Sequence, residues 1–289
     1  YMPELPEVEV VKESLKNTIN NLTFKKVIIN TSKLRYKIDE KKLYKVINKK
    51  ILSVKRRSKY LLINLNNKMT IIVHLGMTGK FFLINKKNNV RKTSFYYEIN
   101  KNDEKHNHII FLLSKNIKLI YNDIRKFGFI KIIPSKGIKH NSHIRSLGPE
   151  PLSKSFSVKY FKSYLINKNR TIKDILMDQK FVAGLGNIYV NEVLFFSQIQ
   201  PSTNSKSISL KKMTLVVKNI KKILKKSIKA GGSSIKNFNN SNGREGAFQQ
   251  HFAVYGREGM KCSKYDCKGV IKKSVISKRS TFFCSRCQK

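Results

Sequence analysis

The chain has 289 residues, with 60 lysines and arginines against 17 aspartates and glutamates, a formal net charge of +43 and 40% hydrophobic content. That is enough apolar material for two cored domains. The charge points to a polyanion as partner ahead of a membrane surface. Lys, Asn and Ile are high throughout, as in an AT-rich coding sequence, so a merely solvated lysine surface competes with that reading. No apolar run approaches the roughly 20 residues that span a bilayer. The acidic start lacks the apolar stretch of a secretory signal, so none is expected.

The chain opens Tyr1-Met2-Pro3-Glu4-Leu5-Pro6-Glu7-Val8-Glu9, concentrating three scarce acids and two prolines. Leu5, Val8, Val11, Leu15 and Ile19 recur at helical spacing, which predicts a helix over 3–20 with one buried face and an exposed N-terminus. Prolines and acids in a first helical turn are ordinary. A second reading is chemical. If the residues ahead of Pro3 are removed, Pro3 carries a secondary amine. An α-amine has a pKa near 8 and is a usable nucleophile at neutral pH. Glu4 beside it is a candidate proton donor or acceptor.

From 24 to 133 short β-branched runs predict strands: 27–29, 51–54, 60–65, 70–73, 80–84, 108–113, 117–121 and 128–133, with one interposed helix over 38–47. Strands so short and so closely spaced argue for a sandwich or barrel. Three motifs sit at their ends. Lys59 follows Arg56-Arg57-Ser58 at a strand start, where a lysine holds a phosphate or assists proton transfer, or is simply surface charge. His74-Leu75-Gly76-Met77-Thr78-Gly79 reads as a tight turn presenting Met77. Such a residue is either core or a wedge between bases. Asp123-Ile124-Arg125-Lys126-Phe127-Gly128 reads as a loop whose arginine and aromatic suit groove insertion or surface anchoring. His106 and His108 are expected on opposite faces of a strand, which argues against a metal there.

Residues 135–153 are polar and hold Pro149 and Pro151, a linker pattern. From 156 to 229 the period turns helical, with helices expected over 158–166, 171–177, 188–196 and 210–228. Gly184-Leu185-Gly186-Asn187 follows a helix rather than a strand, so a dinucleotide fold is excluded. It fits a phosphate at a helix start instead, with Asn187 as N-cap. Residues 231–251 are rich in Gly, Ser and Asn and are expected to be mobile. All four cysteines lie at or beyond position 262, as Cys262-x4-Cys267 and Cys284-x2-Cys287. Paired thiolates at this spacing suit one tetrahedral zinc rather than disulfides, and four thiolates leave no open position for water, so the metal would be structural.

Taken together, Pro3-Glu4-Leu5-Pro6-Glu7-Val8-Glu9, His74 to Gly79, the 123–128 loop, Leu147-Gly148-Pro149-Glu150-Pro151-Leu152, Met177 to Glu192 and the cysteine module resemble the bacterial formamidopyrimidine-DNA glycosylases over nearly the full length. The resemblance implies an α+β fold: an N-terminal β-sandwich with flanking helices (1–134), the linker, a helical domain with a helix–two-turn–helix motif (154–258) and a zinc-finger β-hairpin (259–289). It implies Pro3 as Schiff-base nucleophile, Glu4 as its acid partner, and Lys59 and Arg279 as helpers in the eliminations. It places His74, His106, Arg170 and Asn187 on DNA, Met77 and Phe127 as wedges and Arg125 on the orphaned cytosine. The partner implied is double-stranded DNA bearing an oxidised base, met by a monomer in the bacterial cytoplasm, associated with the nucleoid and not with a membrane. Three departures stand out. Tyr1 and Met2 precede the proline, Ile124 and Lys126 replace the family's Pro and second Arg, and the first cysteine pair is two residues longer than usual. Two rivals remain: the related endonuclease VIII type, which prefers oxidised pyrimidines, and a non-catalytic zinc-containing DNA-binding protein.

Overall fold

A computed structural model describes residues 2–85, 90–93, 101–233 and 248–289. The chain forms two compact units, one of residues 1–145 with 231–246, the other of 146–230 with 247–289.

The first unit opens with helix α1 (Leu5–Ile19), which buries Leu5, Val8, Val11, Leu15 and Ile19 along one stripe. Two antiparallel sheets follow among the described residues. One has the order β1 (Phe24–Ile29), β7 (Asn107–Leu113), β8 (Ile117–Asp123), β5 (Gly79–Ile84) and β6 (Val90–Lys92). The other has the order β2 (Ile51–Arg57), β3 (Tyr60–Leu65), β4 (Met69–His74) and β9 (Phe129–Pro134). Between β1 and β2 lies the short helix α2 (Glu40–Tyr44), capped by Asp39. The inner faces of both sheets meet in one core: Phe81, Phe111 and Leu119 from the first, Leu61, Ile63, Ile71 and Val73 from the second, and the α1 stripe. Each such aliphatic side chain contributes about 1.5–3 kcal/mol on burial. The second sheet is apolar on its other face too, where Leu62, Ile72 and Phe129 are covered by Tyr36, Tyr60, Ile133 and Ile138. Burial on both faces explains why its strands read as unbroken apolar runs rather than alternating ones.

Among the described strands the chain changes sheet three times, once from β1 to β2 by way of α2 and twice at one end of the sandwich. Residues 75–78 carry it from β4 to β5, and residues 124–128 return it from β8 to β9. Those two crossings are the two loops that the motifs mark.

In the second unit helices α3 (Val158–Leu165), α4 (Ile172–Met177) and α6 (Leu210–Lys229) each begin after a Ser or Thr whose hydroxyl accepts a backbone N–H: Ser157, Thr171 and Ser209. Helix α5 (Asn187–Phe196) is buried over Ile188–Phe195 and is the unit's centre. The buried Glu192 carboxylate on α5 accepts the backbone N–H groups of Ala253, Val254 and Tyr255 at 2.8, 3.0 and 2.8 Å, which anchors the chain as it enters the last module. That module is the hairpin β10 (Ile271–Ile276) and β11 (Arg279–Cys284). Its two-residue turn, Ser277 and Lys278, has φ of 53° and 59°, as a tight hairpin turn demands. Among the described residues no helix is long and apolar enough to cross a membrane.

Candidate active site and nucleic-acid interface

The start of α1 departs from the exposed end expected of it. Pro3 is buried, Glu4 is 3% exposed and Glu7 is 0% exposed. The reason is a strap from the far end of the same unit. The Glu7 carboxylate accepts the Glu4 N–H at 2.9 Å, and its other oxygen accepts both the N–H and the hydroxyl of Ser233 at 2.8 and 2.9 Å. Gly232, with φ of +84°, lies so close that a Cβ there would meet the Glu7 side chain at 3.2 Å. A buried carboxylate costs several kcal/mol unless it is hydrogen-bonded, and these three donors meet that need. Pro3 and Glu4 are thereby held in a closed, water-poor setting.

Lys59 is buried as well, on the two-residue turn between β2 and β3, after Ser58 with φ of 55°. Arg56 fixes this turn to α1. Its guanidinium donates to the Ser58 carbonyl at 2.9 Å and pairs with Glu9 at 2.5 Å. The pair holds the Glu9 carboxyl below its usual range, Lys12 and Arg56 together outweighing burial. At the end of β4, His74 stands in register with Tyr60 on one neighbour and Phe129 on the other. Its ring stacks on Phe129 with centroids 5.8 Å apart. Burial first, then the charge of Lys59, pushes its pKa down to about 4, so it is neutral at pH 7. Nδ1 accepts the Gly76 N–H at 3.0 Å, which leaves the proton on Nε2, a neutral donor at the sheet's rim.

The two crossing loops lie back to back. Gly76 has φ of +62°, and a Cβ there would sit 2.4 Å from the Phe127 carbonyl carbon. A Cβ on Gly128 would meet the His74 carbonyl at 2.6 Å. One buried carboxylate ties both loops: Asp123 accepts from the Thr78 hydroxyl at 2.5 Å and from the Gly128 N–H at 2.8 Å, while Thr78 accepts the Arg125 N–H at 3.0 Å. The tips face outward. Met77 is half-buried, Arg125 is exposed and Phe127 is 45% exposed. The Arg125 guanidinium lies 4.4 Å from the Phe127 ring centroid. His106 precedes β7, and its ring is 6.4 Å from that of the buried His108. The expected opposition of these two rings fails because side chains two positions apart along an extended segment share a face. Among the described residues they form no metal cluster.

In the second unit, Arg170 pairs with Asp178 at 2.8 Å and donates to the Asp174 carbonyl at 3.2 Å. Asn187 is not the N-cap expected of it. Gly186 is, and Asn187 is the first helical residue, its amide donating to the Ser280 carbonyl at 2.8 Å. Arg279 opens β11 and is exposed. Behind it the fully buried Lys173 donates to the Thr281 hydroxyl, and burial first brings its pKa down to about 8, with Arg279 adding to the effect. Asn187, Lys173 and Arg279 thus meet at one hairpin. Pro3, Glu4, Lys59, His74, Met77, Arg125 and Phe127 belong to the other unit.

The four cysteine sulfurs lie within 4.8 Å of one another, with Cys262 to Cys287 at 3.8 Å and Cys267 to Cys284 at 3.7 Å. A disulfide needs about 2.05 Å. A tetrahedron with metal–sulfur bonds of about 2.3 Å has edges of about 3.8 Å. The donors therefore have the spacing of a four-thiolate metal site. Gly269 makes room for it, since a Cβ there would sit 2.6 Å from the Cys284 sulfur.

Comparison with known proteins decides the family. Residues 2–130 match the formamidopyrimidine-DNA glycosylase N-terminal domain, and 147–239 match the formamidopyrimidine-DNA glycosylase H2TH domain. Formamidopyrimidine-DNA glycosylase of Rickettsia bellii is 41% identical over 288 residues, 100% of both chains. That of Caulobacter vibrioides is 38% identical over 287 residues, 99% of this chain and 100% of the relative. The Lactococcus lactis enzyme, solved in complex with DNA containing an abasic site, superposes with a TM-score of 0.85 at 32% identity over 99% of each chain. The same wild-type enzyme, solved with N7-benzyl-Fapy-dG containing DNA, gives 0.84 at 32% identity, covering 99% of this chain and 100% of that one.

The chain belongs to the formamidopyrimidine-DNA glycosylase family.

The fold is the family's: sandwich, helical domain and terminal hairpin with a cysteine cluster. Sequence reasoning missed three positioning residues. Glu7 stood inside the quoted motif with no role, and its partner Ser233 is 226 positions away. Asp123 opened a quoted loop unassigned, although it is the sole acid between Glu104 and Glu150. A lone carboxylate in so basic a stretch was the available signal. Lys173 had no signal at all in a lysine-rich chain.

Proposed function

We propose that this chain is a bifunctional DNA glycosylase and abasic-site lyase that removes oxidised purines, 8-oxoguanine and formamidopyrimidines, from duplex DNA in base excision repair. The observation that carries this reading is the closed setting of Pro3 and Glu4 in a unit that also holds Lys59 and the paired loops. Met2 ahead of the proline is 39% exposed, and this reading requires that the residues before Pro3 be removed so that its nitrogen is free.

The Met77, Arg125 and Phe127 tips wedge the duplex, and the damaged nucleotide is extruded. The Pro3 nitrogen attacks C1′, the bond from C1′ to the base breaks, and Glu4 protonates the ring oxygen as the sugar opens. The resulting iminium acidifies the C2′ proton. Its removal, with Lys59 assisting, expels the 3′ phosphate. A second elimination, with Arg279 clamping the phosphate, expels the 5′ phosphate. His74 acts as a neutral donor to a phosphate, and His106, Arg170 and Asn187 contact the backbone. A zinc ion on Cys262, Cys267, Cys284 and Cys287 would hold the hairpin's base closed and take no part in the chemistry. The protein would act as a monomer on chromosomal DNA in the cytoplasm.

The test is a nicking assay on matched duplexes bearing one oxidised purine or one oxidised pyrimidine. Faster turnover of the purine duplex, with phosphate on both new ends, is expected. Preference for the pyrimidine duplex would instead assign the endonuclease VIII specificity. Binding without nicking would leave only a DNA-binding module.

A further inference from the structure

The lengthened cysteine knuckle is left unused by the glycosylase chemistry. Ser263, Lys264, Tyr265 and Asp266 fill it, two residues more than separate Cys284 from Cys287. Asp266 turns the chain with φ of 60°. The Tyr265 ring stands out at 89% exposure, the most of any large hydrophobic side chain among the described residues. Beside it opens a cavity of about 470 Å³ whose lining includes Lys212, Lys264, Arg286 and Lys289, with Asp266 its only acid. Lys212 is held in place by donating to the Gln198 carbonyl. The whole feature lies within the second unit. A six-residue strand separates it from the Arg279 turn, roughly 17 Å at about 3.3 Å per residue.

Four cations against one carboxylate favour a polyanion. A free-standing aromatic ring adds something a duplex cannot use, because duplex bases hide their faces in the stack. Cations that track a backbone beside an aromatic platform are how proteins hold unpaired strands without regard to sequence. We propose that the knuckle is a second nucleic-acid contact that takes an unpaired DNA strand. Tyr265 stacks on one base, and Lys212, Lys264, Arg286 and Lys289 hold the flanking phosphates. The site needs no damaged base and does not depend on the glycosylase reading.

The experiment uses the full-length, zinc-loaded protein saturated with a duplex bearing an abasic-site analogue, so that the damage site is occupied. Labelled oligothymidylate carrying 5-iodouracil is then bound, irradiated and mapped by peptide mass spectrometry. The crosslink is expected at Tyr265. By fluorescence anisotropy Tyr265→Ala should weaken strand binding about fivefold or more, and Tyr265→Trp should restore it. Lys264→Gln should lower the slope of log affinity against log salt by about 0.7. Nicking of the damaged duplex by Tyr265→Ala should match the parent, which separates failure here from failure of the catalytic reading. A crosslink elsewhere, or equal strand affinity in parent and Tyr265→Ala, overturns the proposal. So does protection of Tyr265 by an acidic protein but not by the strand.

Discussion

Two side chains decide how the first unit's rim behaves. Asp123 is buried, accepts donors from both loops and carries no chemistry of its own. Asp123→Asn puts an amide N–H against the Thr78 hydroxyl or the Gly128 N–H, so one former donor loses its acceptor. Such a loss costs about 1–3 kcal/mol. We expect excision from a lesion duplex to fall tenfold or more while affinity for undamaged DNA holds, measured by single-turnover nicking and anisotropy. His74 links the rim to pH. Its pKa is 6.5 when free and about 4 in the fold. Between those values the unfolded chain binds the extra proton, so folding is weakened there. The contribution is complete above about pH 6.5 and is lost as pH falls toward 4, amounting to about 3–4 kcal/mol at most. His74→Phe keeps the stacking on Phe129 and should flatten the urea-unfolding stability between those pH values relative to the parent. An unchanged profile would show that His74 is not held neutral by the fold.

At the level of loops and strands, the close approach of Gly76 to Phe127 predicts a large effect from a small change. Gly76→Ala adds a methyl where a backbone carbon lies 2.4 Å away, at φ of +62°. The 75–78 turn must move, at a cost of about 1–3 kcal/mol, and lesion-duplex affinity should fall with it. Gly137→Ala has nothing within 4 Å and serves as the neutral control. The hairpin β10–β11 buries Ile271 on one strand and Thr281, Phe282, Phe283 and Cys284 on the other, too few side chains to hold two strands alone. If the four thiolates hold a metal, chelation should therefore abolish amide-exchange protection in 271–284 and weaken DNA binding. Cys284→Ser should do the same without chelator. Strand positions were legible because two-sided burial makes unbroken apolar runs. Strand partners were not. That β5 leaves β4 for β8 depends on loops whose packing is set by Gly76, Gly128 and Asp123, residues far apart in sequence.

The whole molecule's charge of +43 makes a further expectation. If about 6–10 phosphates are neutralised on binding, affinity for a lesion duplex should drop about 10³- to 10⁵-fold between roughly 50 and 200 mM salt. A shallow slope would mean that most lysines are only solvated surface. What the sequence concealed at this scale is closure over distance. The exposed helix start predicted from local pattern is covered because Ser233 reaches Glu7 from 226 residues away, and no periodicity carries such a contact. The expected mobility of 231–251 falls largely outside the described residues, beyond Ser233. The motif residues themselves were readable because their chemistry needs unusual local composition: acids beside prolines, glycines beside a methionine, paired cysteines. The most direct measurement is borohydride trapping of the processed protein on a duplex carrying an oxidised purine, with tandem mass spectrometry of the adduct. The account predicts a covalent sugar on the Pro3 nitrogen that disappears in Pro3→Gly and Glu4→Gln. An adduct on a lysine, or efficient nicking by protein whose Pro3 nitrogen is still in peptide linkage, would contradict it.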